Sequence, residues 1–226
     1  MGINTKPQRA ANGYRMFTQY HVELIRLARV AFQIEVLQSG LRRKMVDVIK
    51  ALALYDFEAA GQLIMDYQRL ADQEITQAHE AIEIVEGIIN NETAEDKHEP
   101  LTRSDAAEYL GVTVDELRNW ELNGLLTVKR SANRYRIYNQ EDLKRLKIIR
   151  TLRGANYSLE AILRLLLTMD QKRVSSIKEV LDTPKPDEDI VAVCDQLLTS
   201  LEQAKKNAVA IMKRIDDLEQ IDRFTQ

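Results

Sequence analysis

Apolar residues recur at steps of three and four along most of this chain, and little interrupts them. Val22, Ile25, Ala28, Val30 and Phe32 mark a helix over residues 18–38, and a second, basic helix follows over 41–53. Residues 56–91 then read as one long helix, striped by Ile64, Tyr67, Ala71, Ile75, Ala78, Ile82, Val85 and Ile89, with an extra step of four at Ala71–Ile75. A run without apolar residues except Ala94, "NNETAEDKHEP" at 90–100, breaks the pattern and reads as a linker. The final helix, 187–223, sets Ile190, Cys194, Leu197, Leu201, Ala204, Ala208, Ile211, Ile215 and Leu218 at alternating steps of four and three. That is a heptad seam, and its narrow stripe with charged flanks favours a coiled-coil partner over burial inside one domain.

Between linker and seam the punctuation is denser. Thr102 with Asp105, and Thr113 with Glu116, match the capping box, in which side-chain oxygens satisfy orphan helix N–H groups. Gly111 ends the first short helix and Asn123-Gly124 the second. Leu126–Lys129 and Tyr135–Tyr138 read as hairpin strands joined by "RSAN". Asn139 caps a helix to about residue 153 and Ser158 another to about 168, with a short helix near 173–181. Two short helices joined by a glycine turn make a helix-turn-helix, and a basic hairpin directly behind it makes a wing.

The chain also repeats itself. With an offset of 121, Asn12, Tyr14, Arg15, Gln19 and Arg29 fall on Asn133, Tyr135, Arg136, Gln140 and Arg150. Met16 and Phe17 fall on Ile137 and Tyr138. After residue 38 the offset drops to 114, where Gly40 meets Gly154, Met45 meets Leu159 and Val48 meets Ile162. The first copy opens at its own hairpin, residues 1–17, and nothing in it corresponds to 101–123. A truncated or mis-assigned start and an evolutionary loss of the helix pair both account for this.

Charge changes the picture only through its distribution. The net charge is −3, yet residues 1–50 hold nine Lys/Arg against three Asp/Glu, 54–99 hold two against twelve, and 101–153 hold eleven against seven. The basic blocks coincide with the two related segments, which points to nucleic acid. Eight Gly and four Pro suit a mainly α chain. No apolar run of about 18 residues offers a membrane span, no signal peptide opens the chain, and the single cysteine, Cys194, excludes an intrachain disulfide, so a cytoplasmic protein is expected.

The expected reading helix is 114–121. Leu117 and Trp120 share a face and should pack on Ala106, Ala107 and Leu110, leaving Asp115, Arg118 and Asn119 outside. Arg118 can pair with phosphate or a guanine edge, and Asn119 with adenine. Lys129, Arg130, Arg134 and Arg136 would lay positive charge along the backbone beside the groove. Enzyme chemistry is not expected: no phosphate-cradling glycine loop, zinc spacing or nucleophile motif occurs. His21, His79 and His98 read as surface histidines. Cys194 reads as a packing residue at the seam, with redox pairing across a dimer as the alternative. No cofactor or metal site is expected.

"LTRSDAAEYLGVTVDELRNWELNGLL" followed by "ANRYRIYNQEDLKRLKIIRTLRGANYSLEAILRLL", about residues 101–168, resembles the DNA-binding region of MerR-type transcription regulators. Residues 2–50 resemble the same family's wing and following helices. The family usually has two tyrosines where this chain has Asn119-Trp120, and a glycine where it has Arg134. The resemblance implies a winged helix-turn-helix, a dimerising antiparallel coiled coil, and promoter DNA distorted so that RNA polymerase can use a badly spaced site. It maps Arg118, Tyr135 and Arg136 to DNA-backbone contacts.

The expectation is therefore a mainly α chain with small β-hairpin wings, long coiled-coil helices and an internal duplication. Residues 1–90 form an incomplete first unit, 91–100 a linker, 101–170 the winged helix-turn-helix, and 171–226 a connector and C-terminal coil. The expected DNA-facing set is Thr113, Arg118, Asn119, Lys129, Arg130, Arg134, Tyr135 and Arg136, with wing 128–138, extended by Lys6, Arg9 and Arg15. Helices 56–91 and 187–223 would pair either within the chain, imitating a dimer, or between two chains. The rival function is an architectural or scaffold protein acting through its coils.

Overall fold

A computed structural model describes residues 7–33, 40–90, 99–128, 136–171, 176–183 and 193–225, with side chains described from 195 to 221 in the last of these. The chain divides into two compact units, Met1–Ile75 with Thr199–Gln226, and Thr76–Leu198.

The first unit opens with an antiparallel hairpin of β1 (Gln8–Arg9) and β2 (Arg15–Met16), in which Gln8 faces Met16 and Arg9 faces Arg15. Its turn needs Gly13, whose φ of +84° suits a residue without a Cβ. Helix α1 (Gln19–Ala31) starts at Thr18, where the hydroxyl and His21 form a capping box. It stops well short of residue 38. Helix α2 (Leu41–Ala53) matches the expected bounds. The two pack on each other, and the Tyr20 hydroxyl donates to the Leu52 carbonyl at 2.5 Å. Tyr55 takes a left-handed φ of 60° after α2 and stacks on Tyr20, with ring centroids 4.4 Å apart.

Helix α3 (Phe57–Ile89) and helix α9 (Leu197–Thr225) are the long elements. The α3 stripe departs from expectation at two places. Glu74, not Ile75, is buried between Ala71 and Ala78, and Ile88 rather than Ile89 is buried at its end. The steps thus alternate between four and three from Ala60 through Ile64, Tyr67, Ala71, Glu74 and Ala78 to Ala81, Val85 and Ile88. An apolar tally skips the acid at that position and chooses its neighbour. On α9, Leu197, Leu201, Ala204, Ala208, Ile211, Ile215 and Leu218 are buried as expected. Ile190 and the Cys194 side chain lie outside the described residues. Within the first unit, Lys205 on α9 pairs with Asp72 on α3. Met212, Ile215 and Glu219 share a cleft with Gln62, Met65 and Glu58. Numbers rise on one helix as they fall on the other, so the pair is antiparallel there. Asn207 joins α1 to α9 by donating to the Val30 carbonyl at 3.2 Å.

The second unit holds β3 (Leu101–Thr102), α4 (Arg103–Leu110), α5 (Val114–Leu122), β4 (Ile137–Tyr138), α6 (Gln140–Gly154), α7 (Leu159–Asp170) and α8 (Ile177–Asp182), then a 3-10 turn at Val193–Gln196. The strand expected over 126–129 is not there in its described part, 126–128. Ile137 and Tyr138 instead pair antiparallel with Thr102 and Leu101. Arg164 on α7 is buried and donates to the carbonyls of Val180, Leu181 and Asp195 at 2.7, 3.1 and 3.0 Å. The guanidinium thereby ties α7 to α8 and to the start of the last helix.

Candidate nucleic-acid interface

Helices α4 and α5 are short, so their ends decide whether they form. Thr102 and Asp105 cap each other at the head of α4. At the head of α5, Thr113 N–H donates to Glu116 at 2.7 Å, and Glu116 N–H donates to the Thr113 hydroxyl at 3.1 Å. The Thr113 backbone bond first, and then the Thr113 hydroxyl donating to the same carboxylate, hold the Glu116 carboxyl below the usual carboxylate range. The turn between the helices needs Gly111, whose φ is +63°, and Val112 N–H closes back on the Ala107 carbonyl at 3.0 Å. Helix α5 ends at Asn123, and Leu125 N–H reaches the Trp120 carbonyl at 3.0 Å.

Leu117 and Trp120 are buried, as are Ala106, Ala107 and Leu110, so the expected packing face is present. The opposite face of α5 carries Asp115, Arg118 and Asn119, all exposed. The Asn123 side chain donates to the Asn119 carbonyl at 2.8 Å and to its side-chain oxygen, which fixes the Asn119 amide. Thr113 is exposed but its hydroxyl is engaged with Glu116 at 2.8 Å.

Arg136 stands apart from these residues. Its guanidinium pairs with Glu121 at the end of α5. Arg103 also reaches Glu121, at 2.8 and 2.9 Å, and the Tyr138 hydroxyl donates to the same carboxylate. Glu121 keeps only 7% of its side chain exposed, so one buried acid on α5 gathers Arg103 from α4, Tyr138 from β4 and Arg136 from just ahead of β4. Burial, then the bond to Glu121, pushes the Tyr138 phenol up to about 12. Sequence reasoning missed Arg103, Glu121 and Tyr138 as a group. The available signal was an acid at the end of a reading helix otherwise expected to face phosphate.

In the first unit, Arg9 and Arg15 are exposed on the hairpin, and Arg9 donates to the Gly13 carbonyl at 3.1 Å. Lys6, Lys129, Arg130, Arg134 and Tyr135 lie outside the described residues, so the tip of the expected wing does too. Among the described residues, no cluster of three His, Cys, Asp or Glu side chains could hold a metal ion, and no helix is long and apolar enough to cross a membrane.

Residues 101–168 match the family model described as MerR HTH family regulatory protein. A probable heavy metal-dependent transcriptional regulator of Haemophilus influenzae is 37% identical over 73 residues, covering 32% of this chain and 57% of that protein. The HTH-type transcriptional regulator CueR of Salmonella typhi is 31% identical over 123 residues, covering 51% of this chain and 89% of that protein. A ZntR homolog of Haemophilus influenzae is 37% identical over 79 residues, covering 34% of this chain and 58% of that protein. The chain thus spans a little over half the length of the two Haemophilus relatives. No solved structure matches it. The matched segment is the one that carries the capped helix pair and its exposed polar face, and the chain belongs to the MerR family of helix-turn-helix transcriptional regulators.

Proposed function

We propose that this regulator reads double-stranded promoter DNA with α5 in the major groove and the basic segment 128–138 along the adjoining backbone. The observation that carries the reading is the division of α5. Leu117 and Trp120 are buried, while Arg118 and Asn119 stand exposed on the other side of a helix capped at both ends. Such a face fits the groove width and offers a cation with an amide beside it. Thr113, Lys129, Arg130, Arg134, Tyr135 and Arg136 complete the proposed contact set, with Lys6, Arg9 and Arg15 as weaker additions from the first hairpin. Arg136 reaches the duplex only as far as its pairing with Glu121 allows. By family analogy the complex serves RNA polymerase at a promoter.

The two halves are read as a duplication whose first copy lacks the helix pair, with 101–170 as the DNA-reading domain. Antiparallel packing of α3 against α9 in the first unit supports pairing inside one chain, in imitation of a family dimer. Sedimentation at micromolar concentration tests this: a monomer is expected, and an obligate dimer would require pairing between chains.

Binding titrations over a salt series test the DNA reading. Arg118→Ala should weaken all sequences alike and reduce the salt slope by about 1. Asn119→Ala should relax preference at one base pair, by about 1–3 kcal/mol. Equal affinity for every duplex, unchanged by both substitutions, would favour an architectural role instead.

A further inference from the structure

The four side chains gathered at the end of α5 are bonded in a definite order. Arg103 Nη2 donates to both Glu121 oxygens, at 2.9 and 2.8 Å. Its Nε donates to the Tyr138 hydroxyl at 3.3 Å, and that hydroxyl donates in turn to Glu121 Oε1. Arg103, Tyr138 and Glu121 thus close a ring across α4, β4 and α5, which fixes the carboxylate. Arg136 joins this ring from just ahead of β4, its closest approach being Nε to Glu121 Oε2. A guanidinium carries five donors in a rigid fork, so one held on its Nε side still has terminal nitrogens to offer. Two guanidiniums against one carboxylate also leave the cluster positive. Arg103 alone answers the charge of Glu121, so the pairing does not cancel Arg136. With 35% of its side chain exposed, against 23% for Arg103, Arg136 is the more open of the two cations.

We propose that Glu121 is a positioning residue for DNA binding: its carboxylate, braced by Arg103 and Tyr138, holds Arg136 by the Nε side and presents the terminal nitrogens to a backbone phosphate. The inference rests on the DNA reading above and deepens it by giving an acid a task at the interface. A long side chain loses rotamer freedom when it binds phosphate, and one already held loses less. By charge alone, an acid beside a duplex repels phosphate and weakens binding. Glu121 escapes that cost because Arg103 neutralises it, and what remains is its grip on Arg136. The two effects have opposite signs, which makes them separable by experiment.

The test is a double-mutant cycle on the full chain, titrated over a salt series against a labelled duplex that the unmodified protein has selected from a random pool. Arg136→Ala should weaken binding about tenfold and reduce the salt slope by about 1. Glu121→Gln keeps the shape of the side chain without its charge. Repulsion alone would make that variant bind more tightly, whereas positioning predicts a several-fold loss. The double variant should bind like Arg136→Ala alone. Mere support of the fold would not give that result, because its effect persists whatever stands at position 136. Urea unfolding followed by Trp120 checks that each variant is folded during titration. Should Glu121→Gln fail to fold, Arg136→Lys carries the test, since an ammonium keeps the charge but meets either the carboxylate or the phosphate. It should retain the salt slope and lose several-fold in affinity. Unchanged or tighter binding by Glu121→Gln, an equal loss in both backgrounds, or full affinity in Arg136→Lys overturns the positioning role. Loss at Arg118→Ala without loss at Arg136→Ala overturns it too, and leaves the reading helix standing. If neither substitution matters, the DNA reading fails and the inference falls with it.

Discussion

Helices α1 and α6 begin the same way and end in different surroundings. Each follows a short strand, each is capped at paired positions, Thr18 and Asn139, and each buries its inner residues. Helix α6 also buries Leu143, Leu146 and Ile149, where α1 holds Val22 and Ala28 half-buried and Ile25 exposed. A helix covered on two faces gains roughly twice the apolar burial of one covered on a single face. The lesson is that local sequence sets the helix and its inner packing, while the second face depends on a partner from elsewhere in the fold. In the second unit that partner includes α4, which packs on α6.

The largest expected contrast comes from emptying that second face. Leu146→Ala should destabilise the second unit by about 3 kcal/mol, since truncating a fully buried leucine leaves a cavity in its core. Ile25→Ala should stay within about 0.5 kcal/mol, because its side chain is already half in water. Urea unfolding followed by Trp120, the only tryptophan, reports the second unit. Hydrogen exchange along α1 reports the first. A loss above 2 kcal/mol at Ile25 would mean its face is covered in solution, and the comparison would break.

The next contrast tests the polar cluster. Glu121→Ala leaves Arg103 and Arg136 facing each other with no acid and removes the acceptor of the Tyr138 hydroxyl. A cost of about 2–3 kcal/mol is expected, below the full range for a buried pair because the two arginines keep 23% and 35% exposure. Arg15→Ala should cost less than about 0.5 kcal/mol. The same Trp120 transition, compared with exchange in α1, decides between them. Equal losses would place a carboxylate against Arg15 as well.

Much of this frame was legible in the chain, and the failures have physical causes. Caps are local, so Thr102, Thr113, Asn139 and Ser158 could be read from neighbours three residues away. The bounds of α2 and the seam of α9 follow from apolar period alone. Glu74 did not, because an acid inside a seam is invisible to a pattern built from apolar residues. The pairing of β4 with β3 is set by residues 35 and 37 positions apart in sequence, a distance no local signal spans. Glu121 was not singled out for the same reason, since Arg103 and Arg136 come from either side of α5. Arg118 and Asn119 were legible because exposure follows from the helical period once Leu117 and Trp120 are assigned to the core.

A smaller effect concerns the head of α5 alone. Thr113→Ala should cost about 1 kcal/mol, the usual loss for an N-cap. The folded-state pKa of Glu116 is lowered by Thr113, so its contribution is present above the ordinary carboxylate value and is lost as pH falls through the lowered one. Stability of the second unit should therefore show an acid limb below about pH 4 that Glu116→Gln flattens. An acid limb of unchanged size in that variant would assign the pH dependence to other carboxylates.

The smallest expected effect is a difference near zero, and it bears most directly on the shared frame. Thr18 and Asn139 accept from the N–H groups of His21 and Asp142, and each N-cap N–H donates back to the third residue of its helix. A cap acts through the first turn and does not sense what covers the far face. Thr18→Ala and Asn139→Ala should then cost similar amounts, about 1 kcal/mol each, with a difference below about 0.5 kcal/mol. Hydrogen exchange in the first turns of α1 and α6 measures both in one protein. If only the Asn139 variant loosens, the start of α1 is not held by Thr18, and the likeness of the two hairpin–helix segments would extend to sequence but not to the bonds that start each helix.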